Sequence, residues 1–249
     1  LYHWQGGSIE DSLVFKDPSQ LENAPYDVAI IGAGIVGCAL ACKLSKYKLK
    51  ILLLDKNYDV GEGTSKGSSA IVHTGFDAPV GTLESELVTK ASHMWPQMAE
   101  KLKIPFEECG ALLLAINDEQ YTQLEKIHEK ALKNGVKDIQ RLNAEEAGKM
   151  EPAISREVLG GILIPRESIA DPFTASVAFA EVALQNGVDI LLGTEVSAFE
   201  NMDELVKTIV AQSECRINAK IIVNVAGLGS EKLVKMYQGE PFDTNPRRG

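Results

Sequence analysis

An α/β fold is predicted by three features of the 249-residue chain. An apolar run spans Tyr26 to Ile31, a glycine-rich turn Gly32-Ala33-Gly34-Ile35-Val36-Gly37 follows it, and Asp55 closes a second apolar run 18 residues past Gly37. Short continuous apolar runs mark strands buried on both faces, as in parallel sheets. Between the two runs, Ile35 to Tyr47 reads as a helix, and Lys50 to Leu54 forms the second strand. Strand, glycine turn, helix and strand make a βαβ unit of about the 30 residues this motif needs. The expected architecture is a Rossmann-like FAD/NAD(P)-binding domain with an inserted α+β, substrate-facing region.

The other elements follow in chain order. The opening LYHWQGGSIEDSL has neither a basic nor an apolar signal-peptide region. We expect an irregular arm over 1–24, and the start at Leu1 rather than Met leads us to expect a chain trimmed at that end. Residues 56–82 read as a long Gly/Ser/Thr-rich loop, and loops of that length inside compact domains are usually functional. Leu83 to Lys103 reads as a helix with Leu87, Ala91, Met94, Met98 and Leu102 on one stripe, which we expect to face the core. Phe106 to Ile116 reads as a strand and Glu119 to Asn134 as a second amphipathic helix. A further helix starts at Asp171-Pro172, an N-cap followed by a first-turn proline. Phe173, Val177, Ala180 and Leu184 follow at helical spacing, and Gly187 ends it. Strands are expected at Asp189–Leu192, Glu195–Phe199 and Ala219–Val225. The expected division is a dinucleotide-binding domain in two parts, 25–82 and 169–240, around an inserted segment 83–168, with 241–249 opening a further strand.

Composition narrows the function. Apolar residues make up 45% and charged residues 24%, a soluble globular mix. A net charge of −10 disfavours nucleic acid or an anionic membrane as partner, because no broad basic surface is available. The longest apolar stretch, Ala29 to Cys42, is too short to span a bilayer. Cys38 and Cys42 share one face of the first helix but have no nearby third ligand. We therefore expect buried thiols rather than a metal site, and a reducing, cytoplasmic setting, with mitochondrial or peripheral membrane association left open.

The glycine pattern carries the chemistry. Gly32 makes the tight turn out of the strand, Gly34 lets backbone approach a pyrophosphate, and Gly37 allows close helix–strand packing. The helix start then presents unpaired N–H groups and a positive dipole end to the phosphates. Asp55, with Lys56 beside it, is placed to accept hydrogen bonds from ribose hydroxyls. The βαβ unit alone does not separate FAD from a nicotinamide. The segment Gly61-Glu62-Gly63-Thr64-Ser65-Lys66-Gly67-Ser68-Ser69-Ala70-Ile71-Val72-His73-Thr74-Gly75 favours FAD. Its small and hydroxyl residues suit an extended charged ligand, where nicotinamide dehydrogenases usually carry an ordinary helix. The bland alternative is a surface loop.

YDVAIIGAGIVGCALACKLSKYKLKILLLDK, GTSKGSSAIVHTGF, TEV at 194–196 and IIVNVAGLGS at 221–230 together resemble the D-amino-acid-oxidase-like FAD-dependent oxidoreductases. Within that group they are most similar to the FAD-dependent glycerol-3-phosphate dehydrogenases and the L-2-hydroxyglutarate oxidases. The resemblance implies non-covalent FAD, with Gly32, Gly34 and Gly37 at the pyrophosphate and Asp55 at the adenosine ribose. It implies Thr64, Ser65, Ser68 and Ser69 along the phosphates and ribityl chain, the Val196 backbone at adenine, and Ala226 and Gly227 against the cofactor. It places His73, in the S-S-x-x-x-H-x-G pattern, close to the isoalloxazine ring. There a neutral imidazole can take a substrate hydroxyl proton while hydride moves to the flavin, or simply pack beside the ring. His3, His93 and His128 are expected to be solvent-facing or structural.

The pattern departs from the glycerol-phosphate type at Gly67, where a basic residue is expected before the two serines; Lys66 lies one position earlier. The ending Asn245-Pro246-Arg247-Arg248-Gly249 resembles the opening of a strand that leads into the rest of the substrate region. An incomplete polypeptide, with active-site residues beyond Gly249, is therefore expected. Arg247 and Arg248 are candidate substrate-binding residues, because guanidinium forks pair with phosphate or carboxylate bidentately. The expected partners are a small anionic substrate and an electron acceptor: a quinone, oxygen or another redox protein. The expected reaction is CH–OH oxidation, glycerol 3-phosphate ahead of L-2-hydroxyglutarate. Amine or amino-acid oxidation and a non-catalytic dinucleotide-binding subunit are the alternatives.

Overall fold

The computed structural model describes residues 21, 24–211, 215–240 and 242–246. The chain divides into two compact units, one running to Ser69 and resuming at Pro172, the other spanning Ala70–Asp171. These boundaries stand against an expected 82/83 and 168/169.

The first unit is built on a six-stranded sheet. Its parallel part comprises β1 (Tyr26–Ile31), β2 (Ile51–Leu54), β9 (Asp189–Leu191) and β12 (Arg216–Asn224). β10 (Val196–Glu200) and β11 (Lys207–Ala211) add an antiparallel edge, giving the order β10-β11-β12-β1-β2-β9. The sequence reading found four of these strands and part of β12, but not β11. All four β2 residues are buried, as a parallel strand covered on both faces requires. Leu52, Leu53 and Leu54 are fully buried, and each such side chain contributes about 1.5–3 kcal/mol of transfer free energy. α1 (Ile35–Leu44) stops three residues short of the expected Tyr47. It packs on α5 (Pro172–Gln185). The buried positions there are mostly small: Gly37, Cys38, Ala41 and Cys42 on α1, and Ala175, Ser176, Ala178, Ala180 and Ala183 on α5. Small side chains let two helix backbones approach closely. Phe173 and Val177, on the expected apolar stripe of α5, are exposed. The unit closes with a single-turn 3-10 helix (Gly227–Gly229) and α6 (Ser230–Met236).

The second unit contains two three-stranded antiparallel sheets. One orders β3 (Ile71–Val72), β8 (Ser168–Ala170) and β4 (Phe106–Glu107); the other orders β5 (Ala111–Ala115), β7 (Gly160–Ile164) and β6 (Gln140–Asn143). The expected single strand Phe106 to Ile116 is therefore two strands serving different sheets. Gly110 breaks it at φ +70°, a left-handed conformation that glycine adopts without steric cost. The loop expected over 56–82 likewise contains β3. α2 (Leu83–Leu102) is capped by Thr82, whose hydroxyl accepts from the Ser85 N–H. Its expected core stripe is not what it buries. Ala91 is exposed, as are Leu87 and Met94, whereas Ser85, Ser92 and Ala99, seven apart, are buried. The contact face runs through small residues beside the apolar stripe, a choice hydrophobic periodicity does not reveal. α3 (Asp118–Lys133) and α4 (Ala144–Met150) start on Asn117 and Asn143 caps, the latter a reciprocal capping box with Glu146. Leu124, Ala131, Ile162 and Ile164 anchor the core of this unit.

Candidate dinucleotide site and a carboxylate-held histidine

The glycine turn is a tight piece of packing before it is anything else. Gly32 sits at φ +116°, and a Cβ there would lie 2.4 Å from the Val225 carbonyl oxygen. A Cβ on Gly37 would lie 1.8 Å from the Gly32 oxygen, an impossible contact. These two glycines therefore join β1, α1 and the segment after β12. Gly34 differs: a Cβ there would meet only the Ser65 hydroxyl, at 3.1 Å.

That hydroxyl accepts a 2.9 Å hydrogen bond from the Ile35 N–H. Gly34 has no side chain with which to cap α1, so Ser65, brought from the following loop, supplies the cap. The next N–H groups of the first turn, on Val36 and Gly37, have no intrahelical acceptor, as at any helix start. Thr64, Ser68 and Ser69 are exposed on the same loop, as is Lys66. The loop is tied to the turn by the Gly61 N–H, which donates to the Ala33 carbonyl at 2.8 Å.

Asp55 stands at the end of β2, half-buried. One carboxylate oxygen accepts from the Ala33 N–H at 2.7 Å and the other from the Asn57 N–H at 2.8 Å. Each oxygen can accept one further bond. The carboxylate therefore locks the glycine turn while keeping capacity for ribose hydroxyls. Lys56 is exposed beside it. The Thr194 N–H donates to the Asp55 carbonyl at 2.8 Å, drawing the start of β10 toward this strand end, and Val196 is buried. Ala226 abuts Gly32, and Gly227, at φ +55°, faces open space. The fold thus gathers Gly32, Gly34, Gly37, Asp55, Ser65 and Ala226 at the carboxyl ends of β1, β2 and β12. A strap of glycines, a helix start, small hydroxyls and an acid fit an extended dinucleotide.

Cys38 supports the turn from beneath, its thiol donating to the Ala33 carbonyl at 3.2 Å. Burial, with the Asp55 charge adding to it, pushes this thiol up to about 12. Cys42 is buried too, as a structural thiol should be, and no metal-holding cluster of His, Cys, Asp or Glu occurs among the described residues.

His73 belongs to the second unit, one residue past β3, with 55% of its side chain exposed. Its Nδ1 lies 3.1 Å from one oxygen of Glu167, a residue only 4% exposed. The other Glu167 oxygen accepts from the Thr74 N–H at 2.6 Å and the Thr74 hydroxyl at 2.8 Å. Sequence reading missed Glu167. It lies 94 residues from His73, and only the antiparallel register, Val72 opposite Ser168, brings the two together. Arg247 and Arg248 lie outside the described residues. No helix among the described residues is long and apolar enough to cross a membrane.

Residues 27–249 match the family described as FAD dependent oxidoreductase (DAO). The chain is 38% identical over 224 residues to glycerol 3-phosphate dehydrogenase of Caloramator mitchellensis, a match covering 90% of this chain and 46% of that protein. It is 28% identical to L-2-hydroxyglutarate dehydrogenase of Indibacter alkaliphilus, covering 90% and 56% respectively. Among solved structures, dithionite-reduced L-α-glycerophosphate oxidase of Mycoplasma pneumoniae with FAD bound superposes with a TM-score of 0.80 at 30% identity, covering 86% of this chain and 57% of that one. The chain therefore spans about half the length of the curated relatives it matches.

Proposed function

Because the chain belongs to the DAO family of FAD-dependent oxidoreductases, we propose that it is the FAD-binding part of an enzyme that oxidises the CH–OH group of a small anionic alcohol, glycerol 3-phosphate first. The observation that carries this reading is the cradle of Gly32, Gly34 and Gly37 with the Ser65-capped helix start and Asp55. The cofactor is FAD, which we propose is held without a covalent bond.

Each residue has a distinct task in this reading. The first-turn N–H groups of α1 bind the pyrophosphate, and the Ser65 hydroxyl, which accepts from the Ile35 N–H, donates its own proton to a phosphate oxygen. The Asp55 carboxylate binds the ribose hydroxyls while it holds Ala33. Thr64, Ser68 and Ser69 offer hydroxyls to the rest of the chain of phosphates and ribityl carbons, and Lys56, the Val196 backbone, Ala226 and Gly227 complete the cofactor contacts. When bound, FAD would supply the hydride-accepting ring, and a quinone, oxygen or a redox protein would be the final acceptor of the two electrons. His73 accepts the substrate hydroxyl proton at Nε2 as the carbon becomes a carbonyl. Arg247 and Arg248 pair with the substrate anion.

Glycerol 3-phosphate stands ahead of L-2-hydroxyglutarate because relatives named for the former are 38% and 31% identical over 224 and 228 residues, whereas relatives named for the latter are 28% identical over 228 residues and 34% over only 168. Gly67, in place of a basic side chain, is the specific feature that keeps the hydroxy acid in consideration. The full-length holoprotein, titrated anaerobically with each compound, tests the choice. Glycerol 3-phosphate should bleach the flavin band, and neutral glycerol should not. Bleaching by 2-hydroxyglutarate alone would reassign the substrate, and bleaching by amino acids alone would replace hydroxyl oxidation with amine oxidation.

A further inference from the structure

We propose that Glu167 positions His73, fixing the imidazole as its Nδ1–H tautomer so that Nε2 is left as the proton-accepting nitrogen. The inference rests on the proposed role of His73 and adds to it a residue 94 positions away.

A carboxylate that is 4% exposed requires a compensating set of hydrogen bonds, because burying an unpaired charge costs far more than a fold tolerates. Glu167 has that set: two donors from Thr74 on one oxygen, and His73 Nδ1 at 3.1 Å on the other. The adjacent Arg166 supplies charge but, among the described contacts, no hydrogen bond to Glu167. Arg166 is committed to Asp138 through a bidentate pair at 2.7 and 2.8 Å. The Glu108 and Glu167 charges act on that guanidinium through space only, with no hydrogen bond to it among the described contacts. As a carboxylate accepting both Thr74 donors, Glu167 offers His73 only an acceptor, and an acceptor-only partner requires the proton on Nδ1.

The geometry is built from the sheet outward. Ile71 faces Ile169 and Val72 faces Ser168 in the antiparallel ladder, so His73 and Glu167 are the next opposed pair beyond its end. Glu167 is itself held at both backbone groups: its N–H donates to the Ile164 carbonyl at 3.3 Å, and its carbonyl accepts from the Gly110 N–H at 2.8 Å. Past His73, Gly75 turns at φ +85° with a Cβ site only 2.8 Å from the Thr89 hydroxyl, and the Asn134 amide donates to the Gly75 and Ala78 carbonyls at 2.9 and 2.8 Å. Both sides of the pair are thus anchored. The imidazole remains 55% exposed, so a substrate can reach it. A carboxylate behind a histidine stabilises the imidazolium that forms when Nε2 takes a proton, and it prevents the ring from turning the wrong nitrogen to the substrate.

The test uses full-length holoenzyme with 15N-labelled histidine, His73 being assigned by the signal lost in His73→Asn. The expected spectrum shows His73 protonated at Nδ1 at high pH, and Glu167→Gln removes that preference. In stopped flow with glycerol 3-phosphate, Glu167→Gln should slow flavin reduction at saturating substrate by about tenfold or more, on the scale of general-base effects. KM and the FAD dissociation constant should change by less than about threefold. In the His73→Asn background the same Glu167→Gln change should lower the rate by less than about twofold, because two residues acting through one group are not additive. An Nε2–H tautomer in the wild-type protein overturns the proposal without any variant having to fold. Equal losses from Glu167→Gln in both backgrounds overturn it as well, since a merely structural carboxylate would act independently of His73. A His73→Asn enzyme that reduces its flavin at the wild-type rate refutes the proton-accepting role underneath, and the tautomer spectrum separates that failure from a failure of Glu167.

Discussion

Replacing Asp55 by alanine should damage the apo-protein as well as cofactor binding. Both oxygens of its carboxylate are engaged with backbone N–H groups, Ala33 at 2.7 Å and Asn57 at 2.8 Å. Ala33 is fully buried, so its N–H would lose its acceptor with no water to replace it. A hydrogen bond to a charged group is worth about 1.5–3 kcal/mol, and a buried donor left unpaired costs about 1–3 kcal/mol. Asn57 is half-buried and its N–H is partly rescued by solvent. The expected loss of folding stability is therefore about 2–4 kcal/mol, before any ligand is added. FAD affinity should fall further, by about 1.5–3 kcal/mol or roughly ten- to a hundredfold, through the ribose contacts. Asp55→Asn retains one acceptor oxygen, and should lie between alanine and wild type in both measurements. Urea unfolding of the full-length apo-protein gives the first quantity, and a flavin-fluorescence titration gives the second. Unchanged apo stability would refute the locking role. An unchanged dissociation constant with reduced stability would refute the ribose role alone.

Other outcomes follow from the same site. Gly37→Ala places a methyl 1.8 Å from the Gly32 oxygen and should cost about 1–3 kcal/mol of stability or more, with loss of FAD from purified protein, whereas Gly148→Ala, in a helix with open space around it, should stabilise slightly in the same melt. Ser65→Ala removes the acceptor of the Ile35 N–H and should lower apo stability by about 1 kcal/mol, as loss of a helix cap does, readable as a shift in the urea midpoint. The Cys38 thiol, ordinarily near 9.0 but held up to about 12 in the fold, contributes stability that is complete below pH 9 and lost as pH rises toward 12. In that window the unfolded chain has released a proton that the folded chain keeps, so unfolding free energy falls with pH by about 1.4 kcal/mol per unit from this group. Cys38→Ala should flatten the slope. At neutral pH a thiol reagent should label exposed Cys109 but neither Cys38 nor Cys42 until the protein is denatured.

Local patterns in the sequence determined the core of the nucleotide-binding unit. Strand β1, the glycine turn, helix α1, strand β2 and Asp55 are contiguous, and each is dictated by short-range rules: apolar runs for buried strands, glycines where a Cβ cannot fit, an acid at a strand end. Such a motif is readable because its partners lie within about 30 residues of one another. The same holds for α5, whose Asp171-Pro172 start is a local signal. Tertiary structure alone decided what depends on register and on choice of face. The burial of Ser85, Ser92 and Ala99 in place of Leu87, Ala91 and Met94 depends on which side of α2 the rest of its unit approaches, and periodicity carries no information about that. The division of residues 106–116 between two sheets depends on Gly110 turning the chain toward separate partners, β8 and β7. Ser65 became a helix cap because its loop folds back over α1, and Glu167 became the partner of His73 because β3 and β8 pair in one antiparallel register. In both cases the residue types were visible in the chain. Their bonds were not, because a hydrogen bond across 30 or 94 positions is set by where the backbone goes, and no local pattern records it.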